Sequence, residues 1–450
     1  MKIKPISEKA KSASKVSSRS HLGERVPRLR FPGFEGEWEV VRIGELYSER
    51  SQRCTKPMEL LSVTISEGVV PRADIEGKDN SSEDKSNYKV VHVGDMVYNT
   101  MRMWQGASGL SAYNGIVSPA YTILKDAAKF DHEFMASLFK TEWLINEFRK
   151  NSQGLTSDTW NLKYPQIAAI KVRLPSAQEQ HHIATFLSLI DSRITAQRKI
   201  VELLKKHKRG VIEQIFGRRL DMGKDAEKWD IVELRDLFSK VARRNRDGKV
   251  KNVITNSAEF GLIPQRDFFD KSIAVDGNTD GYYVIRTGDF VYNPRKSTAA
   301  PFGPFNRYMG KEDGIISPLY TCLVPKGKAN AEYLAWYFRS TAWNRYVYDN
   351  GSQGARHDRV NMTDDLLFGI PVLLPPIAVQ ERIANGLNAI DARWSSANKV
   401  LAHLEKMKRG LLQQLFASFK RTTVEEVQTS MLSDDSIPFR RVRTEHLPTP

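Results

Sequence analysis

Cysteine is scarce in this sequence: 450 residues contain two, Cys54 and Cys322. Two thiols cannot build a disulfide framework or a four-thiolate zinc site, and their separation gives no CxxC spacing. A reducing compartment fits. Long apolar runs are missing as well. No window reaches the roughly 18 consecutive apolar residues of a membrane-spanning helix, and the opening MKIKPISEKAKSASKVSSRS has no apolar signal-peptide core. The expectation is a cytoplasmic protein with no membrane partner. That opening is rich in Lys and Ser, as organelle transit peptides are, but a disordered basic extension is the simpler reading, and residues 1–26 are set aside from the fold. Acidic residues are the minority charge, 53 Asp and Glu against 68 Lys and Arg, for a formal net charge of +15. This excess favours a polyanionic partner, nucleic acid first. With 40% hydrophobic, 27% charged and 10% aromatic residues, the chain is globular rather than collagen-like or low-complexity. At about 150 residues per domain its length allows two or three domains.

Catalytic signatures are missing too. There is no GxxxxGK[ST] phosphate loop and no GxGxxG cofactor fingerprint. The Asn-Pro-Pro-Phe or Asp-Pro-Pro-Tyr tetrapeptide of adenine methyltransferases is absent, since Asn293-Pro294 continues with Arg295-Lys296. Asp74, Glu83 and Lys85 loosely imitate a D…ExK nuclease spacing, but the segment DIEGKDNSSEDK is polar and turn-rich, so a solvated loop is expected. His181-His182 lacks a third metal ligand in spacing and reads as two exposed helix residues. No metal and no cofactor are expected in this chain.

What the sequence does have is an internal repeat. Glu37-Trp38-Glu39-Val40-Val41 through Glu45-Leu46-Tyr47-Ser48 returns as Lys228-Trp229-Asp230-Ile231-Val232 through Asp236-Leu237-Phe238-Ser239, at an offset of 191. Gly94-Asp95-Met96-Val97-Tyr98-Asn99 returns as Gly288-Asp289-Phe290-Val291-Tyr292-Asn293 at offset 194, and Gly115-Ile116-Val117-Ser118-Pro119 as Gly314-Ile315-Ile316-Ser317-Pro318 at offset 199. Ser152-Gln153-Gly154 matches Ser352-Gln353-Gly354 at offset 200. Order is kept while the offset creeps upward, as in a duplicated domain with small loop insertions. Residues 100–114 and 294–313 share almost nothing, so the framework persists while the loops differ.

From Leu174-Pro175 to Phe216 the match with Leu374-Pro375 to Phe416 holds at a constant offset of 200. Apolar positions step by four and three there: Ile183, Leu187, Ile190, Ile194, Val201, Leu204, Val211 and Ile215 in one copy, Ile383, Leu387, Ile390, Trp394, Ala397, Leu401, Leu404, Leu411 and Leu415 in the other. These are heptad seams. Ser176-Ala177-Gln178-Glu179 offers a capping box and Pro375-Pro376 a second start. Each seam runs roughly 50 Å, too long for a helix to pack alone, so the two are expected to pair. Ile183, Leu187, Ile190, Leu204, Ile383, Leu387, Ile390 and Leu404 are the residues expected to hold the pair or dock subunits.

Segments 27–175 and 229–375 mix strand-like runs (88–99, 167–175, 281–293) with helical stretches (131–149, 330–348), which predicts an α+β domain in each. Residues 176–217 and 376–417 are then the helices, 218–228 a linker, and 418–450 an unassigned C-terminal tail. DNA is gripped through phosphates and read through base edges, where Arg and Lys suit guanine and Asn and Gln suit adenine. In the first domain the loop candidates are Arg102, Trp104 and Gln105, with Gln153 through Lys163. In the second they are Arg295, Lys296 and Arg307, with Gln353, Arg356, His357, Arg359 and Asn361.

The stretch from Pro27 to Glu39 (PRLRFPGFEGEWE), the twin Gly-Asp-x-Val-Tyr-Asn and Ser-Pro-x-Tyr segments and the twin Leu-Pro…Gln-x-x-Ile-Ala helices resemble the specificity subunit of type I restriction-modification enzymes, from residue 27 to about 417. The resemblance implies two target-recognition domains related by pseudo-two-fold symmetry, separated by an antiparallel pair of long coiled-coil helices, each reading one half of a bipartite asymmetric site in double-stranded DNA. It also implies two methylation subunits docked on the helices and nuclease and translocase subunits outside them. S-adenosylmethionine, ATP and magnesium would serve those partners. The rival readings are a DNA methyltransferase or nuclease with an unrecognised active site, and a structural DNA-bridging protein.

Overall fold

The computed structural model describes residues 26–75, 77, 79, 81–157, 159–217, 229–267, 279–351 and 358–416. The expected linker and C-terminal tail, and all but the last residue of the expected N-terminal tail, lie outside the described residues. The chain divides into two compact units. One runs to Ile194 and resumes at His403, and the other runs from Thr195 to Ala402.

In the first unit a four-stranded antiparallel sheet has the spatial order Tyr47–Arg50, Tyr121–Asp126, Met96–Asn99, Ser108–Leu110. Two-stranded ladders join Glu39–Arg42 to Lys171–Leu174, Leu61–Thr64 to Gly68–Pro71, and Lys89–Val91 to Gly115–Val117. The second unit has the same plan. Its four-stranded sheet runs Phe238–Lys240, Thr321–Pro325, Phe290–Tyr292, Phe305–Arg307, and its ladders join Asp230–Glu233 to Pro371–Leu374, Ile254–Ser257 to Gly261–Pro264, and Tyr283–Ile285 to Gly314–Ile316. Leu61–Thr64 alternates buried and half-buried residues, the period of a strand covered on one face. Met96, Val97 and Tyr98 are all buried, as a strand covered on both faces requires.

The strand runs seen in the sequence are shorter in the structure, for a repeated reason. Residues 88–99 divide into Lys89–Val91 and Met96–Asn99, and residues 281–293 into Tyr283–Ile285 and Phe290–Tyr292. Between them the chain turns through Gly94 and Gly288, at φ of 90° and 96°, a left-handed region that a residue without Cβ enters freely. The helical stretches divide as well, into His132–Phe139 with Glu142–Asn151 and Ala331–Tyr337 with Asn344–Asn350. Thr141 makes the first break: its hydroxyl donates to the Leu138 carbonyl at 2.7 Å and accepts from Leu144 N at 3.4 Å, ending one helix and capping the next. Residues 167–170 belong to a helix and its end rather than to a strand, which begins at Lys171.

Two long helices, Ala177–Phe216 and Ile377–Leu415, hold 40 and 39 residues. Within the second unit they run antiparallel: Gln197 Nε2 donates to the Ala397 carbonyl at 2.9 Å, and further along Lys208 Nζ donates to Asp391 Oδ1 at 2.7 Å. Lys208 also lies 4.0 Å from the Trp394 ring centroid. Within the first unit Lys408 pairs with Asp191, the same bond with the two copies exchanged. Ile183, Leu187, Ile383, Leu387, Ile190 and Leu404 are buried along these helices, while Ile390 and Leu204 are half-buried. Toward the helix ends the buried positions become Ile212, Ile215 and Phe216 in one and Leu412, Leu415 and Phe416 in the other. In the second unit these terminal side chains enter the domain core, in one cluster with Val379, Ile383, Leu387 and Tyr333.

Each unit is thus completed by the helix end of the other repeat. Phe216 packs on Tyr333 and Tyr337, with ring centroids 5.6 and 5.5 Å apart. Phe416 packs on Phe134 and Trp38 at 5.2 and 6.4 Å. A strap at the start of the first unit adds to this. Leu29 N donates to the Gln414 carbonyl at 2.9 Å, and Arg30 Nε and Nη2 each donate to the Glu179 carboxylate at 2.8 Å. The capping box expected at Ser176 is therefore half formed. Ser176 Oγ accepts from Glu179 N at 3.3 Å, but the Glu179 carboxylate takes the charge-assisted, bidentate Arg30 pair in place of a backbone N–H. In the second copy Val379 stands at this position, buried in the core.

Replacing Phe416 by Ala should cost about 3–5 kcal/mol, read by chemical denaturation of the full chain. Hydrogen exchange should accelerate around Trp38 and Phe134 although Phe416 belongs to the second repeat. Acceleration restricted to residues 229–375 would contradict the exchanged packing.

Candidate nucleic-acid interface

The strand that closes each Gly-Asp-x-Val-Tyr-Asn motif delivers the chain into a variable loop. Asn99 Oδ1 accepts from Met101 N, and Asn293 Oδ1 from Arg295 N, both at 3.0 Å, so the asparagine is a turn former in both copies. A second loop, beyond the Ser-Gln-Gly motif, then pairs with the first: Leu162 N donates to the Thr100 carbonyl and Val360 N to the Pro294 carbonyl, each at 2.9 Å. One main-chain bridge, made twice, brings the two candidate loops of each unit together.

In the first unit Arg102 is exposed, and Trp104 and Gln105 are half-buried in a short turn from Met103 to Gln105. Trp104 meets Trp160 edge-on, with ring centroids 5.3 Å apart. Gln153 pairs with Asn161 through two backbone bonds of 2.9 and 2.8 Å, and Gln153 and Lys163 are exposed. A Cβ at Gly154, where φ is 145°, would come within 2.6 Å of the Thr159 carbonyl oxygen, so this tight return requires glycine. Asn161 Oδ1 is buried without a hydrogen-bond partner.

In the second unit Arg295 and Arg359 face each other across an antiparallel bridge. Arg295 is exposed, with Nε 3.5 Å from Asp358, and Lys296 N donates to the Asp358 carbonyl at 2.8 Å. Lys296 is half-buried and Asn361 exposed. Arg359 Nε is buried without a hydrogen-bond partner. Burial pushes the nearby Tyr320 phenol up, against the pull of Arg295 and Arg359. Arg307 is paired with Glu332, which gives it a structural partner within its own unit. Gln353, Arg356 and His357 lie outside the described residues.

Residues that sequence reasoning passed over organise these loops. Arg50 makes a bidentate pair with Asp95 at 2.9 and 3.1 Å, and the same carboxylate accepts from His92 N at 2.7 Å. Arg243 and the Arg286 N–H hold Asp289 in the same way. The repeated Gly-Asp was the available signal. Burial pushes the Asp289 carboxyl up, opposed by these donors. Lys140 Nζ donates to the Gly106 and Ile65 carbonyls at 2.7 and 3.1 Å, pinning the end of the Trp104 turn.

Asp74 and Glu83 are exposed, and Lys85 Nζ bonds Ser81 Oγ at 3.0 Å and the Ser82 carbonyl at 2.5 Å. His181 Nδ1 lies 3.2 Å from Asp131, and His182 Nδ1 lies 2.8 Å from the Gln178 carbonyl. Among the described residues no group of His, Cys, Asp and Glu is arranged to hold a metal ion, and no helix is long and apolar enough to cross a membrane.

Residues 35–206 match the family model of the type I restriction modification DNA specificity domain. The type I restriction enzyme MjaVIII specificity subunit of Methanocaldococcus jannaschii is 23% identical over 415 residues, covering 84% of this chain and 92% of that protein. The crystal structure of a type I restriction-modification S subunit from M. genitalium is similar with a TM-score of 0.50 at 13% identity, covering 88% of this chain and 100% of that one. A chain solved in a structure concerned with complex assembly and conformational transition of the type I R-M system is similar with a TM-score of 0.53 at 16% identity, covering 87% and 100%. The resemblance carried by the twin motifs is borne out, and so is the α+β fold with its paired long helices. A specificity subunit is the non-catalytic component of such an enzyme.

Burial, with a smaller push from Lys408, lowers the Lys140 ammonium from 10.5 to about 8. Between those values the unfolded chain keeps a proton that the folded chain has released, so this group makes the fold more stable as pH rises from about 8 toward 10.5. Lys140→Met should flatten that rise relative to the native chain in denaturation curves across the window. An equal rise in both proteins would contradict the burial of this charge.

Proposed function

We propose that this chain, a specificity subunit of the type I restriction-modification family, reads a bipartite asymmetric site in double-stranded DNA through one loop pair in each unit. The observation that carries the assignment is the main-chain bridge made twice, Leu162 N to the Thr100 carbonyl and Val360 N to the Pro294 carbonyl, each at 2.9 Å, which joins the two divergent loops of each unit at equivalent places. Immediately before Leu162 and Val360 stand Asn161 and Arg359, each with one side-chain atom, Oδ1 and Nε, that has no hydrogen-bond partner in the chain. An asparagine suits adenine and an arginine suits guanine.

Around these two atoms stand Arg102, Trp104, Gln105, Gln153 and Lys163 in one unit, and Arg295, Lys296 and Asn361 in the other. The loops differ in chemistry, so the half-sites differ. Two methylation subunits dock on the helical regions and the nuclease and translocase subunits act beyond them, in the cytoplasm. Exposed apolar side chains along the helices, Leu189, Ile200, Leu203 and Val400, are open to such partners. S-adenosylmethionine, ATP and magnesium are used by these partners, and the paired helices set the length of unread DNA between the half-sites.

Arg359→Ala should weaken binding by about 1–3 kcal/mol and relax selection at one half-site. Asn161→Ala should relax the other half alone. Both substitutions are read by selection from random duplexes with the full chain. If either variant altered both halves, or neither, reading by these two atoms would be refuted.

A further inference from the structure

Beyond the base-reading loops, the second unit carries a cationic loop. Residues 243–251 read Arg-Arg-Asn-Arg-Asp-Gly-Lys-Val-Lys, five cations against one carboxylate. Two of the cations are committed to the fold. Arg243 holds Asp289. Arg244 lies 4.6 Å from the Tyr283 ring centroid and donates to the Gly281 carbonyl at 2.6 Å and to Tyr283 Oη at 3.2 Å.

The other three cations are presented by a closed turn. Asn245 is fully buried. Its side chain donates to the Val250 carbonyl at 3.0 Å and accepts from Val250 N at 3.2 Å. Its own carbonyl accepts from Gly248 N at 3.0 Å, where φ is 61°. The turn is fixed to the sheet by Asn245 N to the Tyr282 carbonyl at 3.0 Å and by Ile315 N to the Asn252 carbonyl at 2.8 Å. Arg246, Lys249 and Lys251 are left exposed. Lys249 has an exposed partner, Asp247, at 3.0 Å, a pair that water and salt weaken. Among the described residues Arg246 and Lys251 have no ion pair.

A rigid turn that closes on a buried asparagine and exposes three cations suits a polyanion with regularly spaced charges. Phosphates fill that description, and contacts to them fix position without reading sequence. Arg244 bridges to Tyr283, and Tyr283 pairs with Ile316. The chain then turns, with Tyr320 N donating to the Ser317 carbonyl at 3.1 Å, into Thr321, which faces Tyr292 just before the Asn293-Pro294-Arg295 loop, so the cationic turn belongs to the neighbourhood of the second reading site. The stretch of the first unit that the same main-chain bonds place there, from Gln52 to Met58, has two cations, Arg53 and Lys56, and its Arg53 donates to Asn87 Oδ1 at 3.0 Å.

We propose that Arg246, Lys249 and Lys251 form a phosphate-binding site that grips the DNA backbone beside the half-site read by the second unit. This rests on the DNA-reading function above, and the test separates the two. Binding of the full chain, native and Arg246→Ala/Lys249→Ala/Lys251→Ala, is measured on duplexes with and without the selected motif between about 50 and 300 mM salt. The slope of log K against log salt should become shallower by about 2–3, since each phosphate contact contributes roughly 0.9. Affinity should fall for both duplexes, and the motif selected from random duplexes should stay the same. The charge-conserving Arg246→Lys/Lys249→Arg/Lys251→Arg variant should keep the native slope. Should the triple alanine variant fail to fold, Lys251→Ala alone should lower the slope by about one. An unchanged slope overturns the site, and so does a shifted motif, which would make these residues base readers. A native chain that binds without sequence preference, yet loses slope in the variant, would remove the reading function and keep the backbone grip.

Discussion

The end of each long helix is buried in the unit that contains the start of the other. Phe416 lies against Trp38 and Phe134, Phe216 against Tyr333 and Tyr337, and the Asp191–Lys408 and Asp391–Lys208 pairs tie the helices on the way. Neither repeat can bury its own terminal phenylalanine in its own half of the sequence, so each unit needs both halves of the chain. Aromatic contacts of this kind add about 0.5–1.5 kcal/mol beyond the area they bury. This packing also explains the constant offset of 200 from Leu174 to Phe216, because an insertion there would move each cation off its carboxylate and each ring off its pocket.

On that frame the two candidate sites are alike in backbone and unlike in side chains. The Asn-centred turns, the bridges at Thr100 and Pro294, and the arginine-held aspartates recur in both units. One site then carries two tryptophans and an asparagine, the other two arginines that face each other. A repeated main-chain arrangement holds each loop pair in place while the exposed side chains differ between the two units, which suits two half-sites of different sequence. The cationic turn closed by Asn245 adds a grip that needs no sequence at all.

Much of this was legible in the sequence. The twin motifs gave the repeat, the apolar period gave the helices, and the divergence of residues 100–114 from 294–313 pointed to the loops. Where the reading fell short, long-range pairing was the cause. Glu179 has the spacing of a capping box, but its carboxylate goes to Arg30, 149 residues away. Arg307 pairs with Glu332, 25 residues away, a partner that spacing alone does not show. Gly94 and Gly288 break apparently continuous strands because a left-handed turn overrides the β propensity on either side. The roles of Lys140 and Asn245 depend on carbonyls brought to them only by the folded chain.

The central claim is that one duplicated chain reads two dissimilar half-sites held in fixed register. Mapping methylated bases in DNA from cells that express the assembled enzyme tests it most directly. The account predicts a single asymmetric motif, two short specified halves separated by a constant number of unspecified base pairs. A continuous motif, two identical halves, or a spacer of variable length would contradict it.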